Sequence, residues 1–221
     1  MKKLFLHSDQ IDESTQLDQA LLKIFSGTTP KIGYIPSQSD PTRHFFKRKI
    51  EWYQQFGIPD LFYFDLDEEY DEDNIPKLLS CDAIFLSGGN TFTFLSLLKK
   101  RSFIPILRQF VDNGGILIGL SAGSILMSES IATTTIDADI SDDQNCVGLT
   151  DLSALALNNF DFFPHFDGNN EIKEKLKTYS KESGKTIYAC NDGDGIFVDG
   201  KDLHFFGEVW AIKDGKITPA V

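Results

Sequence analysis

The sequence predicts an α/β fold, with a mostly parallel sheet covered by helices on both faces and antiparallel hairpins at its carboxyl-terminal end. Three observations predict it. Short apolar runs alternate with helical stretches through the first 120 residues, the rhythm of a parallel sheet with helical crossovers. Near the end, Asp199-Gly200 and Asp214-Gly215 separate apolar runs, as hairpin turns do. With 221 residues, 41% of them hydrophobic, the chain can bury one large core, so residues 1–221 are expected to form a single domain.

Leu4-Phe5-Leu6 reads as the first strand. Residues 14–25 follow as a helix, with Leu17, Leu21, Leu22 and Phe25 on one face. Residues 32–35 form the second strand, 43–56 the second helix, and Leu61-Phe62-Tyr63-Phe64 the third strand. The acidic run 65–73 is expected to be a solvated loop without function. A short helix at 74–79 leads to the strand Ala83-Ile84-Phe85-Leu86, which ends in Ser87-Gly88-Gly89-Asn90. Helices are expected at 91–99 and 104–112, then a strand from Ile116. Residues 130–150 are polar and irregular, long enough for a functional loop. A helix at 170–183 and a strand at 186–189 resume the earlier pattern.

The formal charge of -12 argues against nucleic acid and anionic membrane as partners, because phosphates would be repelled. No run of about 18 apolar residues exists to span a bilayer. The apolar patch after Lys2-Lys3 is too short for a signal peptide and suits a strand better. Cys81, Cys146 and Cys190 are odd in number and scattered, which fits free thiols in a reducing cytoplasm. His7, His44, His165 and His204 are dispersed, and the Asp192-Gly193-Asp194-Gly195 run is explained by a turn. Neither a metal nor a cofactor is expected.

The chemistry concentrates at Gly119-Leu120-Ser121-Ala122-Gly123, which fits the G-x-S-x-G nucleophile elbow between a buried strand and a helix. Such a turn forces Ser121 into a strained backbone, and only small neighbours leave room for it. It lifts the hydroxyl above the sheet and aims helix N-terminal amides at any oxyanion formed there. Ligands of a parallel sheet sit at the strands' carboxyl ends, so the Gly88-Gly89 loop shares this address. One of those glycine amides with that of Ala122 would make a two-donor oxyanion hole. A serine needs a base, and His165 in Phe162-Phe163-Pro164-His165-Phe166-Asp167 stands ahead of the other histidines. The carboxylate partner stays open among Asp137, Asp139, Asp167, Asp192 and Asp194.

The order of Ser87-Gly88-Gly89-Asn90-Thr91, Gly119-Leu120-Ser121-Ala122-Gly123-Ser124, Pro164-His165-Phe166 and Asp192-Gly193 resembles the peptidase E (aspartyl dipeptidase) family of serine peptidases. The resemblance covers essentially the whole chain. It implies a fold like class I glutamine amidotransferases, with Ser121 as nucleophile, His165 as base, and Gly89 with Ala122 as oxyanion donors. It also implies Asp192 as the acid, with Asp137, after Thr133-Thr134-Thr135, as second choice. In the family an arginine soon after the histidine holds the substrate's aspartate. Here that region reads Gly168-Asn169-Asn170-Glu171-Ile172-Lys173-Glu174-Lys175, and no arginine follows Arg108. Lysines 173, 175 and 177 supply point charge without a bidentate fork, so strict aspartyl specificity does not carry over. Arg43, Arg48, Arg101 and Arg108 are the cations of this type available from the amino-terminal half.

The expectation is a cytoplasmic serine peptidase of small peptides, with its oligomeric state open. An esterase of the α/β-hydrolase type shares the elbow but orders its acid before a late histidine. A glutamine amidotransferase would want cysteine at position 121. A catalytically inactive binding member of the same fold is the alternative from another class.

Overall fold

The computed structural model describes residues 1–12, 15–58, 60–136 and 143–220. Strands β1 (Lys3–His7), β2 (Lys31–Ile35), β3 (Asp60–Tyr63), β4 (Ala83–Leu86) and β5 (Ile116–Leu120) come first. Between them run helices α1 (Gln16–Ile24), α2 (His44–Gln54), α3 (Ile75–Leu79), α4 (Thr91–Lys100) and α5 (Phe103–Asp112). Then come α6 (Ala122–Ile125), β6 (Asp161–Phe163), α7 (Asn170–Ser183) and β7 (Ile187–Cys190). Strands β8 (Gly195–Asp199), β9 (Asp202–Phe206), β10 (Val209–Lys213) and β11 (Lys216–Pro219) complete the chain.

The central sheet has the order β3-β2-β4-β5-β1-β8-β9. Its first five strands are parallel, and β8 and β9 are antiparallel additions at the β1 side. Alternation within each strand explains the helices on both faces. Leu4, Leu6, Ile84, Leu86 and Leu117 join one core with Phe94, Leu98 and Leu107 of α4 and α5. Their neighbours Phe5, Ala83, Phe85, Ile116 and Ile118 join the other, with Leu17 and Leu21 of α1 and Tyr53 of α2. The sheet's fold class is as the sequence predicts.

Two features differ from expectation. Strand β7 does not extend the central sheet but enters a second one, ordered β11-β10-β7-β6, in which β6 and β7 are parallel and β10 is antiparallel to both neighbours. The two Asp-Gly hairpins therefore belong to different sheets. Ile172 and Leu176 of α7 pack there against Ile187, Ala189 and Ile212. The acidic run after β3 is also not simply solvated. Asp65 and Leu66 are buried, and the Asp65 carboxylate accepts the amides of Asp67 at 2.9 Å and Glu69 at 3.2 Å. Those loop amides replace the water that a buried carboxylate would otherwise lose. Among the described residues no helix is long and apolar enough to cross a membrane.

Candidate active site

Strand β5 turns directly into α6, and Ser121 at the junction has φ 49 and ψ -107, a conformation L-residues rarely adopt. Sterics make the flanking glycines necessary. A Cβ on Gly123 would lie 2.2 Å from the Leu86 carbonyl oxygen, and one on Gly119 would lie 2.5 Å from the Gly123 carbonyl carbon. The turn is tied to β1, because the His7 carbonyl accepts the Ser121 amide at 3.0 Å and the Ser124 hydroxyl at 2.8 Å. The predicted elbow and its strain are both present.

The second sheet supplies the partners. His165 follows β6 and Asp192 follows β7, so the parallel pairing of these strands sets the two residues side by side. His165 Nε2 is 2.8 Å from Ser121 Oγ, and its Nδ1 is 2.6 Å from Asp192 Oδ1. An ionised carboxylate only accepts, so Nδ1 carries the proton and Nε2 is left to accept from the serine. The imidazole and the Asp192 side chain are half exposed, which keeps the group open to an incoming ligand. Asp167 directs its carboxylate to the Asn169 amide at 2.8 Å, and Asp194 directs its own to the Glu208 amide at 2.9 Å. Asp137 and Asp139 lie outside the described residues.

Ser8 was not among the residues singled out by sequence. It is wholly buried just after β1, and its Oγ accepts the His165 amide at 2.7 Å. The same oxygen lies 3.1 Å from both Asp192 Oδ1 and the Cys190 carbonyl, where it donates. One hydroxyl thus ties both polar partners of Ser121 to the central sheet. His165 needs that anchor, since its φ of 56 is also in the left-handed region. The available signal was positional: Ser8 ends a strand, as Ser87 and Ser121 do.

Gly89 lines the same cavities as Ser121, and Ala122 follows the serine as the first residue of α6. Among the described residues neither amide has an acceptor within the chain, so both are free to meet an oxyanion. Gly89 has φ 126, and a Cβ there would lie 2.2 Å from Ser37 Oγ, so the position tolerates only glycine. Two clefts open on Ser121 and His165. The smaller, about 350 Å³, is lined by Ile125, Thr133, Thr134, Asp143 and Phe163. The larger, about 630 Å³, runs under the Gly88-Gly89 loop to Tyr34, Phe85 and one face of α2.

The other predicted residues stand apart. Lys175 pairs with Glu171 and Lys177 with Glu174, and residues 169–177 line neither cleft. Arg101 donates to the carbonyls of Leu66 and Asp67, Arg108 to those of Leu155 and Ala154, and Arg43 pairs with Glu69. Arg48 alone of the four arginines lines the larger cleft. His7 is buried, and desolvation lowers its pKa, so it stands neutral behind the elbow. His44 and His204 are exposed, the latter stacked on Phe197.

The model for peptidase family S51 matches residues 4–206. An uncharacterized peptidase of Listeria monocytogenes, Lmo0363, is 34% identical over 131 residues, which are 58% of this chain and 61% of the relative. Peptidase E of Shewanella denitrificans is 26% identical over 214 residues, covering 92% of this chain and 87% of the relative. A crystal structure of a candidate peptidase E from Listeria monocytogenes EGD-e matches with a TM-score of 0.71 at 26% identity, over 93% of this chain and 98% of that one.

Proposed function

The chain belongs to peptidase family S51, and from that premise we propose that it hydrolyses small peptides as a serine peptidase, through an acyl-enzyme on Ser121. The observation that carries this reading is the continuous chain Ser121 Oγ, His165 Nε2, His165 Nδ1, Asp192 Oδ1, with contacts of 2.8 and 2.6 Å. In the proposed reaction Ser121 attacks the scissile carbonyl and His165 takes its proton. Asp192 holds the reactive tautomer and steadies the imidazolium that forms. The Gly89 and Ala122 amides receive the oxyanion, and His165 then protonates the leaving amine. Water, activated by the same imidazole, releases the acyl group.

Two clefts meeting at the serine suit a chain that passes over it, and their volumes suit peptides of a few residues. The three cysteines are free thiols, which supports a cytoplasmic setting. Replacing Ser121 by alanine tests the proposal. A correctly folded Ser121→Ala protein is expected to lose turnover by about 10⁴- to 10⁶-fold. Near-normal turnover by a clean preparation would refute a serine mechanism.

A further inference from the structure

We propose that Lys49 is the anion-recognising residue of this site, its ammonium pairing with a carboxylate of the peptide bound in the larger cleft. The proposal rests on the serine-peptidase reading for the identity of the ligand as a peptide. It begins with the helix pattern. Phe45, Arg48, Lys49 and Trp52 recur at the i, i+3, i+4, i+7 spacing of one helix face, and all four line the cleft that reaches Ser121. Tyr53, on another face of α2, is buried in the core. In a chain of net charge -12, this cleft-facing stripe carries two cations and two aromatic rings, one of them the 62% exposed Phe45.

Lys49 is the deeper of the two cations. Its Nζ lies 4.9 Å from the Phe85 ring centroid and 5.8 Å from that of Trp52. Among the described residues it has no ion pair, and it donates to the neutral Gln10 Oε1. An ammonium has three donors, so further N–H groups remain for a ligand. The nearby carboxylates Asp18 and Asp9 act on Lys49 through space, without a direct ion pair. Asp18 accepts from Gln10 Nε2 at 2.6 Å and Trp52 Nε1 at 3.3 Å, and Asp9 accepts the Gln10 amide at 2.7 Å. Asp40 accepts the Phe45 amide at 2.9 Å and so fastens the start of α2. A desolvated cation with spare donors in a substrate cleft is best satisfied by a ligand carboxylate. Both an acidic side chain and a free carboxyl terminus offer one.

Binding to the Ser121→Ala protein, measured calorimetrically, tests this without turnover. Two peptide pairs are compared: free against amidated carboxyl terminus, and aspartate against asparagine within an otherwise identical peptide. In at least one pair the carboxylate form is expected to bind about 10- to 100-fold tighter, the range of a hydrogen bond between charged groups. The pair that responds identifies the source of the carboxylate. Adding Lys49→Met, or Lys49→Gln if the first is unstable, is expected to cut the advantage to less than about twofold, and Lys49→Arg to retain most of it. Equal binding within both pairs, or an advantage that survives removal of the Lys49 charge, would overturn the proposal. The two readings fail separately, because an unreactive Ser121 would leave a Lys49-dependent preference intact.

Discussion

Replacing Ser8 by alanine removes a hydroxyl that lines neither cleft yet should slow the reaction. Its oxygen accepts the His165 amide at 2.7 Å and donates within 3.1 Å of Asp192 Oδ1 and the Cys190 carbonyl, in a wholly buried position. The variant leaves a part-buried N–H without its acceptor, and the cost is at most that of a fully buried donor, about 1–3 kcal/mol. His165 has an inexpensive way to recover part of that, because its φ of 56 is itself unfavourable and can relax. Relaxation would swing the imidazole away from Ser121. If most of the loss appears in the transition state, at about 1.4 kcal/mol per tenfold, turnover falls by about 10- to 100-fold. Ser8 does not line either cleft, so the loss is expected in kcat with KM little changed. Steady-state kinetics on a fixed peptide, with thermal unfolding measured alongside, separates positioning from general destabilisation. A variant that unfolds at lower temperature but keeps kcat within twofold would refute the positioning role.

Replacing Asp192 by asparagine should cost about 10³- to 10⁴-fold in kcat, because the amide would favour the wrong His165 tautomer. If Asp137→Asn proves the more damaging change, the acid is Asp137 instead. Burial brings the Lys49 pKa down to about 8 from 10.5, an effect moderated by Asp18 and Asp9 and reinforced by Arg48. Its ammonium is therefore present below about pH 8, and the preference for carboxylate-bearing peptides should decline as pH rises through that value. A flat ratio from pH 7 to 10 would contradict this. The folding linkage runs the same window with its own sign: the penalty for burying the charge is full below about 8 and is relieved as pH rises towards 10.5. Peptide panels at fixed ionic strength should also show no strict requirement for an amino-terminal aspartate, since residues 169–177 line neither cleft and the point charge of Lys49 gives a graded preference for carboxylates rather than a requirement.

Much of this site was legible because its determinants are local. The elbow is fixed by clashes between neighbours in sequence and the adjacent strand, so the small residues at 119, 122 and 123 announce it. The alternation of apolar runs and helical stretches likewise carries the parallel sheet. Pairing choices are not local. Nothing in the residues 186–189 says that their strand joins β10 and β6 rather than the central sheet. Ser8 and Lys49 escaped for the same reason: their importance lies in partners 157 and 39 residues away, His165 and Gln10. Asp65 reads as part of a solvated acidic run because sequence does not show which loop amides will fold back onto a carboxylate.

The most direct test of the central claim is covalent. The protein is treated with a fluorophosphonate and the modified residue is mapped by peptide mass spectrometry. Labelling confined to Ser121, and slowed at least tenfold by His165→Ala, is the result predicted by a hydroxyl activated across a 2.8 Å contact. Labelling at another serine, or none at Ser121 under conditions where a known serine hydrolase reacts fully, would contradict it.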